Sequence, residues 1–380
     1  MNTTNLFIKP VDVLYLRGNK LFGGPGDHGD NLMPPWPSVF TGAVCSRMLA
    51  DNNLLDKAAA MGSNAAALID ELAGRLTLNL IALADNTKNE LYFPAPGDIV
   101  FGKNTDSETR PHVHMVKPVM PAALSDCASS SPVIAPAGIR SASPVKPDSG
   151  WWLTREGLRL HLSGEKIEAN HLKHAKCLWI SDPRLGIALD PGSRTADEGR
   201  IYTSDTVALS CNIGFVASFC HEKGKLPADG LVRLGGDGRG AEVFPFDKIP
   251  TELGKPQAGL KKFRMILSTP CPSPHGWLPP GVIKREDGSY MIEAVHCRAR
   301  LYSAAVTRHE VISGWDVAKH APKPALRMIP AGSVYWFEVE QGDSGNLESI
   351  WSDGLLAGVA VDGYSGRRRE GFGRVWFGKA

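Results

Sequence analysis

The 380-residue sequence carries no real surplus of charge: 42 Lys and Arg stand against 40 Asp and Glu, leaving +2. Whole-molecule attraction to a polyanion is therefore weak, and any nucleic-acid surface has to be a local patch. There is no close Cys-x-x-Cys pair. The 7 cysteines (Cys45, Cys127, Cys177, Cys211, Cys220, Cys271 and Cys297) are scattered and odd in number, which reads as reduced thiols in a cytoplasmic protein. No apolar run approaches the roughly 20 residues a membrane helix needs, since even Leu76 to Ala84 is broken by Thr77 and Asn79. Met1 to Pro10 lacks the basic-then-apolar order of an export signal. No P-loop or dinucleotide fingerprint occurs, so nucleotide hydrolysis has no support. Nothing has the form of a paired-carboxylate metal site, and no cofactor is expected. These absences leave a soluble cytoplasmic chain with no membrane partner as the expectation.

The composition is that of an average globular protein, with 43% hydrophobic and 22% charged residues. The length calls for two or three packed units. Gly 40 and Pro 28 are both high, which favours short strands and many turns over long helices. Asn5 to Arg17 reads as a strand feeding a glycine-rich loop, Gly18 to Asp30. Val39, Phe40, Ala43, Val44 and Met48 recur at helical spacing after Pro37 and Ser38. A short helix follows, with Asn64 as N-cap and Gly74 as terminator, and then a strand through Leu76, Leu78 and Leu80.

Ala122 to Gly150 is dense in Pro, Ser and Ala and reads as an inserted loop. Beyond Trp151, short strands are expected at Thr206 to Leu209, Ile213 to Phe219, Phe263 to Thr269, Cys297 to Thr307 and Ser333 to Glu340. Helices are expected near Gly164 to Lys176 and Asn346 to Leu356. Strands outnumbering interleaved helices make the fold α+β, with a division into 1–150 and 151–380. Trp151 and Trp152 read as an exposed apolar rim.

The strongest local signal is the C-terminal run Gly366 to Lys379, where Arg367, Arg368, Arg369, Arg374 and Lys379 face one acid, Glu370. Its glycines would let backbone N–H groups converge on an anion, its guanidiniums would pair with phosphates, and Phe372 or Trp376 would stack on an unpaired base. The alternative is a tight turn with a solvated arginine face. Arg17 to Asp30, Pro183 to Tyr202 and Leu234 to Ala241 also mix glycine with Arg or Lys, and each alone equally suits an ordinary hairpin loop. His171, His174 and Cys177 are spaced three apart on the expected helix, a possible ligand ladder or simply surface. His112 and His114 alternate on a strand. His28, in a basic loop beside Asp27, is the one candidate general base for metal-free RNA cleavage.

Taken in order, these segments resemble a known family: the third subunit of type III-B (Cmr) CRISPR effector complexes, within the RAMP (repeat-associated mysterious protein) superfamily. The resemblance is carried by Arg17 to Gly24 followed by Pro34-Pro35-Trp36-Pro37-Ser38 and Gly42-Ala43. Arg184, Gly186, Ile187, Asp190, Thr195, Ala196, Glu198, Gly199 and Tyr202 carry it further. So do Leu234 to Arg239, Ile312 to Asp316, Pro322-Lys323-Pro324, Ala331 to Glu338, and the final Gly371-Phe372-Gly373. Cys45 stands where an arginine is frequent in the family, with Arg47 two positions on.

The resemblance implies two ferredoxin-like (RRM-like) domains packed together, with long inserted loops and hairpins. It further implies a non-catalytic subunit that binds the 5′ handle of CRISPR RNA and contacts the large polymerase-type subunit and the backbone subunits, meeting target RNA indirectly. The RNA-contacting residues it nominates are Arg17, Lys20, Arg47, Arg184, Arg194, Tyr202, Arg239, Arg367, Arg368, Arg369, Gly371, Phe372, Gly373 and Arg374. A metal-independent ribonuclease using His28, or a purely structural scaffold, are the alternatives. The common expectation is that these loops, distant in sequence, meet in one cationic cradle.

Overall fold

Apolar runs such as Leu6-Phe7-Ile8 and Phe215-Val216-Ala217 form strands buried in the sheets, because β-branched and aromatic side chains fill a pleated surface well. The computed structural model describes residues 1–16, 18, 28–29, 32–103, 111–120, 132–142, 144–190, 192–316, 319, 321–359 and 364–380. At 28–29, 63, 188, 197–202 and 365 only the backbone is described. The chain forms two compact units, each built from three stretches. The first takes Met1–Asn89, Ala175–Ile249 and Val311–Ala325, and the second takes Glu90–His174, Pro250–Glu310 and Leu326–Ala380. The division expected at residue 150 therefore does not describe the packing. Residues 90–150 belong to the second unit because Glu90–Pro94 pairs with Trp151–Thr154, and pairing across such separations overrides chain order.

In the first unit, strands run across the sheet in the order Thr77–Asp85, Ile213–His221, Asn2–Pro10, Gly240–Pro245 and Gly230–Arg233, every neighbouring pair antiparallel. The helix Pro37–Asp51 starts at a proline, which loses no intrahelical bond at that position. It buries Phe40 edge-on against Phe215, ring centroids 5.2 Å apart. The next helical stretch begins earlier than expected, as Leu55–Met61 and a 3-10 turn through Asn64 lead into Ala66–Ala73. Asn64 is thus not an N-cap, while Gly74 ends the helix at φ 65° as expected. A long hairpin, Trp179–Leu189 with Ala196–Leu209, completes this unit.

In the second unit, the order is Val282–Lys284, Tyr290–Ala294, Cys297–Ala305, Val334–Gly342, Lys262–Leu267 and Val375–Lys379, again antiparallel throughout. Leu172–His174, Trp151–Thr154 and Glu90–Pro94 form a second set of paired strands. The helix here is Arg155–Ser163, not Gly164 to Lys176. Thr154 caps it by accepting from Gly157 N at 3.1 Å, and left-handed Gly164 stops it. Residues 164–177 instead form short 3-10 turns around a strand. Trp152 is buried, and Trp151 packs on Phe101 and His174 while donating to Asp148, so this pair is not an apolar rim. No helix among the described residues is long and apolar enough to cross a membrane.

The core of the second unit holds an ion pair. Arg264 Nη1 lies 2.5 Å from Asp98 Oδ2, its Nη2 donates to His161 O at 2.6 Å, and its Nε donates to Lys379 O at 2.8 Å. His161 Nε2 sits 3.0 Å from Asp98 Oδ1. All three side chains are buried. Burial alone would raise the Asp98 carboxyl, but His161 and Arg264 outweigh it and hold it below the usual range. Burial pushes His161 down against the pull of Asp98, and its Nδ1 has no hydrogen-bond partner to receive an added proton.

Removing one partner of a buried pair leaves a charge uncompensated, so Arg264→Met should cost about 3–5 kcal/mol of unfolding free energy. Urea denaturation checks this, and a loss near zero contradicts it. Both shifts are downward, so the unfolded chain binds protons that the folded chain refuses. Stability should be full above the ordinary histidine range, ~6.5, decline as pH falls through it, and decline again in the carboxylate range. Thermal midpoints across pH test the slope.

Candidate nucleic-acid interface

Two of the segments nominated from sequence, Pro183 to Tyr202 and Leu234 to Ala241, come together in the first unit on the chain that leaves the first strand. The chain leaving the first strand bonds to the 234–241 turn through Val11 N to Gly240 O (3.0 Å) and Gly236 N to Tyr15 O (2.8 Å). It reaches the long hairpin through the reciprocal bonds of Leu14 and Val207, 2.9 Å each. The turn requires glycine at 235: φ is +76°, and a Cβ there would lie 2.7 Å from Tyr15 O. His28–Gly29 adds a parallel bridge to Thr203 and Ser204 on the same hairpin.

At this junction Asp12 links an arginine of the long hairpin's first strand to one of the 234–241 turn. Its Oδ2 accepts from Arg239 Nη1 at 3.0 Å, and its Oδ1 lies 4.0 Å from Arg184 Nη2. Arg184 also donates through Nε and Nη2 to Asp182 Oδ2, 3.1 Å each, and the Arg239 guanidinium lies over the Tyr15 ring, 5.0 Å from its centroid. The side chains remain open to solvent, 40% for Arg184, 29% for Arg239 and 55% for Asp12. Ion pairs this exposed are worth at most about 1 kcal/mol each, so they can exchange partners. Chemically the junction offers two planar, forked donors suited to bidentate contact with phosphate oxygens. Asp12, Tyr15 and Asp182 were missed in the sequence. Asp12 is 227 residues from Arg239, and no local pattern marks it.

The remaining nominated residues of this unit are placed differently. Arg17 and Lys20 lie outside the described residues. Arg47 donates to Asp51 Oδ1 (2.6 Å) and Leu231 O (2.5 Å), tying its helix to an edge strand. Arg194 is exposed in the hairpin turn at φ 57°, where Asp190 caps Gly192 and Ser193. At about 3.4 Å per residue, that turn lies about 20 Å along the strand from Arg184. The backbone of Tyr202 pairs with Gly186; its side chain, like that of His28, is outside what is described.

The C-terminal run belongs to the second unit, and there the exposed cradle expected from its glycines is not found. Its backbone donors are used internally: Gly371 N to Arg368 O (3.0 Å), Phe372 N to Arg367 O (3.1 Å), Gly373 N to Pro270 O (2.9 Å) and Arg374 N to Thr269 Oγ1 (3.0 Å). Gly371 and Gly373 do take positive φ, 89° and 75°, but for packing, since a Cβ on Gly373 would meet Leu356 at 3.0 Å. Phe372 is 1% exposed, beneath the Arg367 guanidinium, with no face open for a base. Arg367 pairs with Glu370, Arg368 with Asp353, and buried Arg374 donates to the carbonyls of Trp351 and Ser352. Arg369 is partly exposed in the last turn of the Ser365–Arg369 helix.

The histidine ladder also dissolves. Leu172–His174 is a strand between 3-10 turns, so His171, His174 and Cys177 share no helical face, and the described residues hold no group of three or more ligands suited to a metal ion. His112 and His114 do lie on one strand with rings 6.5 Å apart. The six described cysteines are free thiols.

The family model described as CRISPR-associated protein (Cas_Cmr3) matches residues 6–380. Among solved structures, the fold is similar to a chain of the type III-B Cmr-beta complex bound to cognate target RNA and AMPPnP, studied by cryo-EM. The TM-score is 0.50 and the identity 17%, over 97% of this chain and 94% of that one. A chain of Cmr-beta bound to cognate target RNA gives 0.51 and 16%, over 98% and 96%. No curated protein matches the chain.

The burial of the terminal arginines has a measurable consequence. Arg374→Ala would leave two carbonyls without their donor, at about 1–3 kcal/mol each, so it should lower stability by at least about 2 kcal/mol. Denaturant titration checks this, and a change within about 0.5 kcal/mol, typical of an exposed surface arginine, contradicts it.

Proposed function

The chain belongs to the Cas_Cmr3 family of CRISPR-associated proteins, and from that premise we propose that it is a non-catalytic RNA-binding subunit of a type III-B Cmr complex. In this reading it holds the 5′ handle of the CRISPR RNA and sits beside the large polymerase-type and backbone subunits. The observation that carries the proposal is the junction of Arg184 and Arg239 at Asp12, where a strand and a turn far apart in sequence present two partly exposed guanidiniums on a hydrogen-bonded base. Such donors read the sugar-phosphate backbone and set its register, and leave sequence to base pairing by the guide.

The strand orders support the finer fold reading of two ferredoxin-like halves. In the first unit the strands Asn2–Pro10, Thr77–Asp85, Ile213–His221 and Gly240–Pro245, numbered along the chain, lie in the order second, third, first, fourth. In the second unit Lys262–Leu267, Cys297–Ala305, Val334–Gly342 and Val375–Lys379 repeat that order. This is the arrangement of a β-α-β-β-α-β fold. Each half keeps one of its helices in place: Pro37–Asp51 follows the first strand of one, and Glu348–Asp353 follows the third strand of the other.

Arg184→Ala and Arg239→Ala should each weaken binding of a handle-sequence RNA by about 1 kcal/mol or more, if each loses a charge-assisted contact to phosphate. The salt dependence should become shallower by about 0.7 per lost contact on a single strand. Filter binding at several salt concentrations, with denaturation curves to confirm folding, reads both. Unchanged affinity in both variants removes this junction from the RNA path.

A further inference from the structure

The arginine junction is electrically balanced: Arg184 and Arg239 face Asp12 and Asp182, so the donors proposed to meet RNA already have an anion in place. We propose that Asp12 is the resident anion of this site, a carboxylate standing where an RNA phosphate comes to lie and giving way when it arrives. The inference rests on the function proposed above and adds a specificity-determining residue to it.

Three features of the geometry carry it. A carboxylate reaching guanidiniums from a strand and a turn, 3.0 Å from Arg239 and 4.0 Å from Arg184, occupies the position from which a phosphate would bridge both. Each arginine also has a second holder that does not involve Asp12. Arg184 is fixed by two bonds to Asp182 Oδ2, and Arg239 lies over the Tyr15 ring. Withdrawal of Asp12 would therefore leave both guanidiniums where they are. Finally, Asp12 is 55% exposed and follows the end of the first strand, so it can turn to water at little cost. The Asp98–Arg264 pair, wholly buried, has no such freedom.

The consequence is selectivity. With Asp12 in place the junction attracts stray polyanions weakly, and a bound RNA has to offer a phosphate oriented well enough to replace the carboxylate. Removing the charge should strengthen binding, the reverse of what loss of a structural strut would do.

The test uses the full chain and a short labelled single-stranded RNA. Asp12→Asn keeps the shape and removes the charge. It should tighten RNA binding roughly threefold, the worth of one unit charge about 6 Å away in water. It should also steepen the log–log salt dependence by about 0.7, the share of one additional phosphate on a single strand. Asp12→Ser should act in the same direction, which keeps the test open if the asparagine variant folds poorly. Weaker binding by a folded Asp12 variant would show a positioning strut, and unchanged affinity and slope would show a bystander; either overturns the inference. Arg184→Ala and Arg239→Ala in the same assay separate the two levels. If both arginine variants bind RNA as the parent does, the proposed function fails. If they weaken it while Asp12→Asn does not tighten it, only the role of Asp12 fails.

Discussion

A carboxylate with no solvent exposure is tolerated only where its charge is answered, and in the second unit Asp98 is answered by Arg264 and His161. Arg264 then distributes its remaining donors to His161 O and Lys379 O. One guanidinium thereby joins a loop, the Arg155–Ser163 helix, a central strand and the last strand of the chain. The geometry is strict because the donors lie in one plane and each acceptor comes from a different element. Burial keeps out the water that would weaken the pair, the Arg264 and Asp98 side chains being 5% and 0% exposed.

The same residue type does opposite work elsewhere in the protein. Arg374 is buried among the carbonyls that end a short helix and Arg367 is closed over Phe372, so these cations satisfy local polar groups and brace the terminal loop. Arg184 and Arg239 pair with carboxylates that are themselves half open to water, and their partners can be exchanged. A basic stretch at the C-terminus is thus a device for ordering chain, while two isolated arginines keep their donors partly open to solvent. Desolvation decides between these roles: a guanidinium enclosed by protein has already committed its donors, and one at the surface has not.

Much of the fold was legible. The strands at 213–219, 263–269, 297–307 and 333–340 each appear within a few residues of their apolar runs, and the helix after Pro37 shows its periodicity plainly. The Arg155–Ser163 helix was not read. Gly157 looks like a breaker in sequence, yet it is needed because a Cβ there would lie 2.7 Å from His171 O, and the helix is held by packing and by its Thr154 cap. The candidate site was half legible. Arg184 and Arg239 stood out within glycine-containing segments, but nothing near Asp12 or Tyr15 signalled that they would meet them.

The sequence by itself determined the class of the protein: family membership, a strand-rich chain with short helices, and glycines at the turns whose backbone demands them. These follow from local conformational preference and from order along the chain, both written in neighbouring residues. The tertiary structure alone decided which arginines are spent on the protein's own carbonyls and which remain at the surface, and it alone brought Asp12 to partners 172 and 227 residues away. Burial and pairing are properties of what packs around a side chain, and in an interleaved antiparallel architecture those neighbours come from distant parts of the chain.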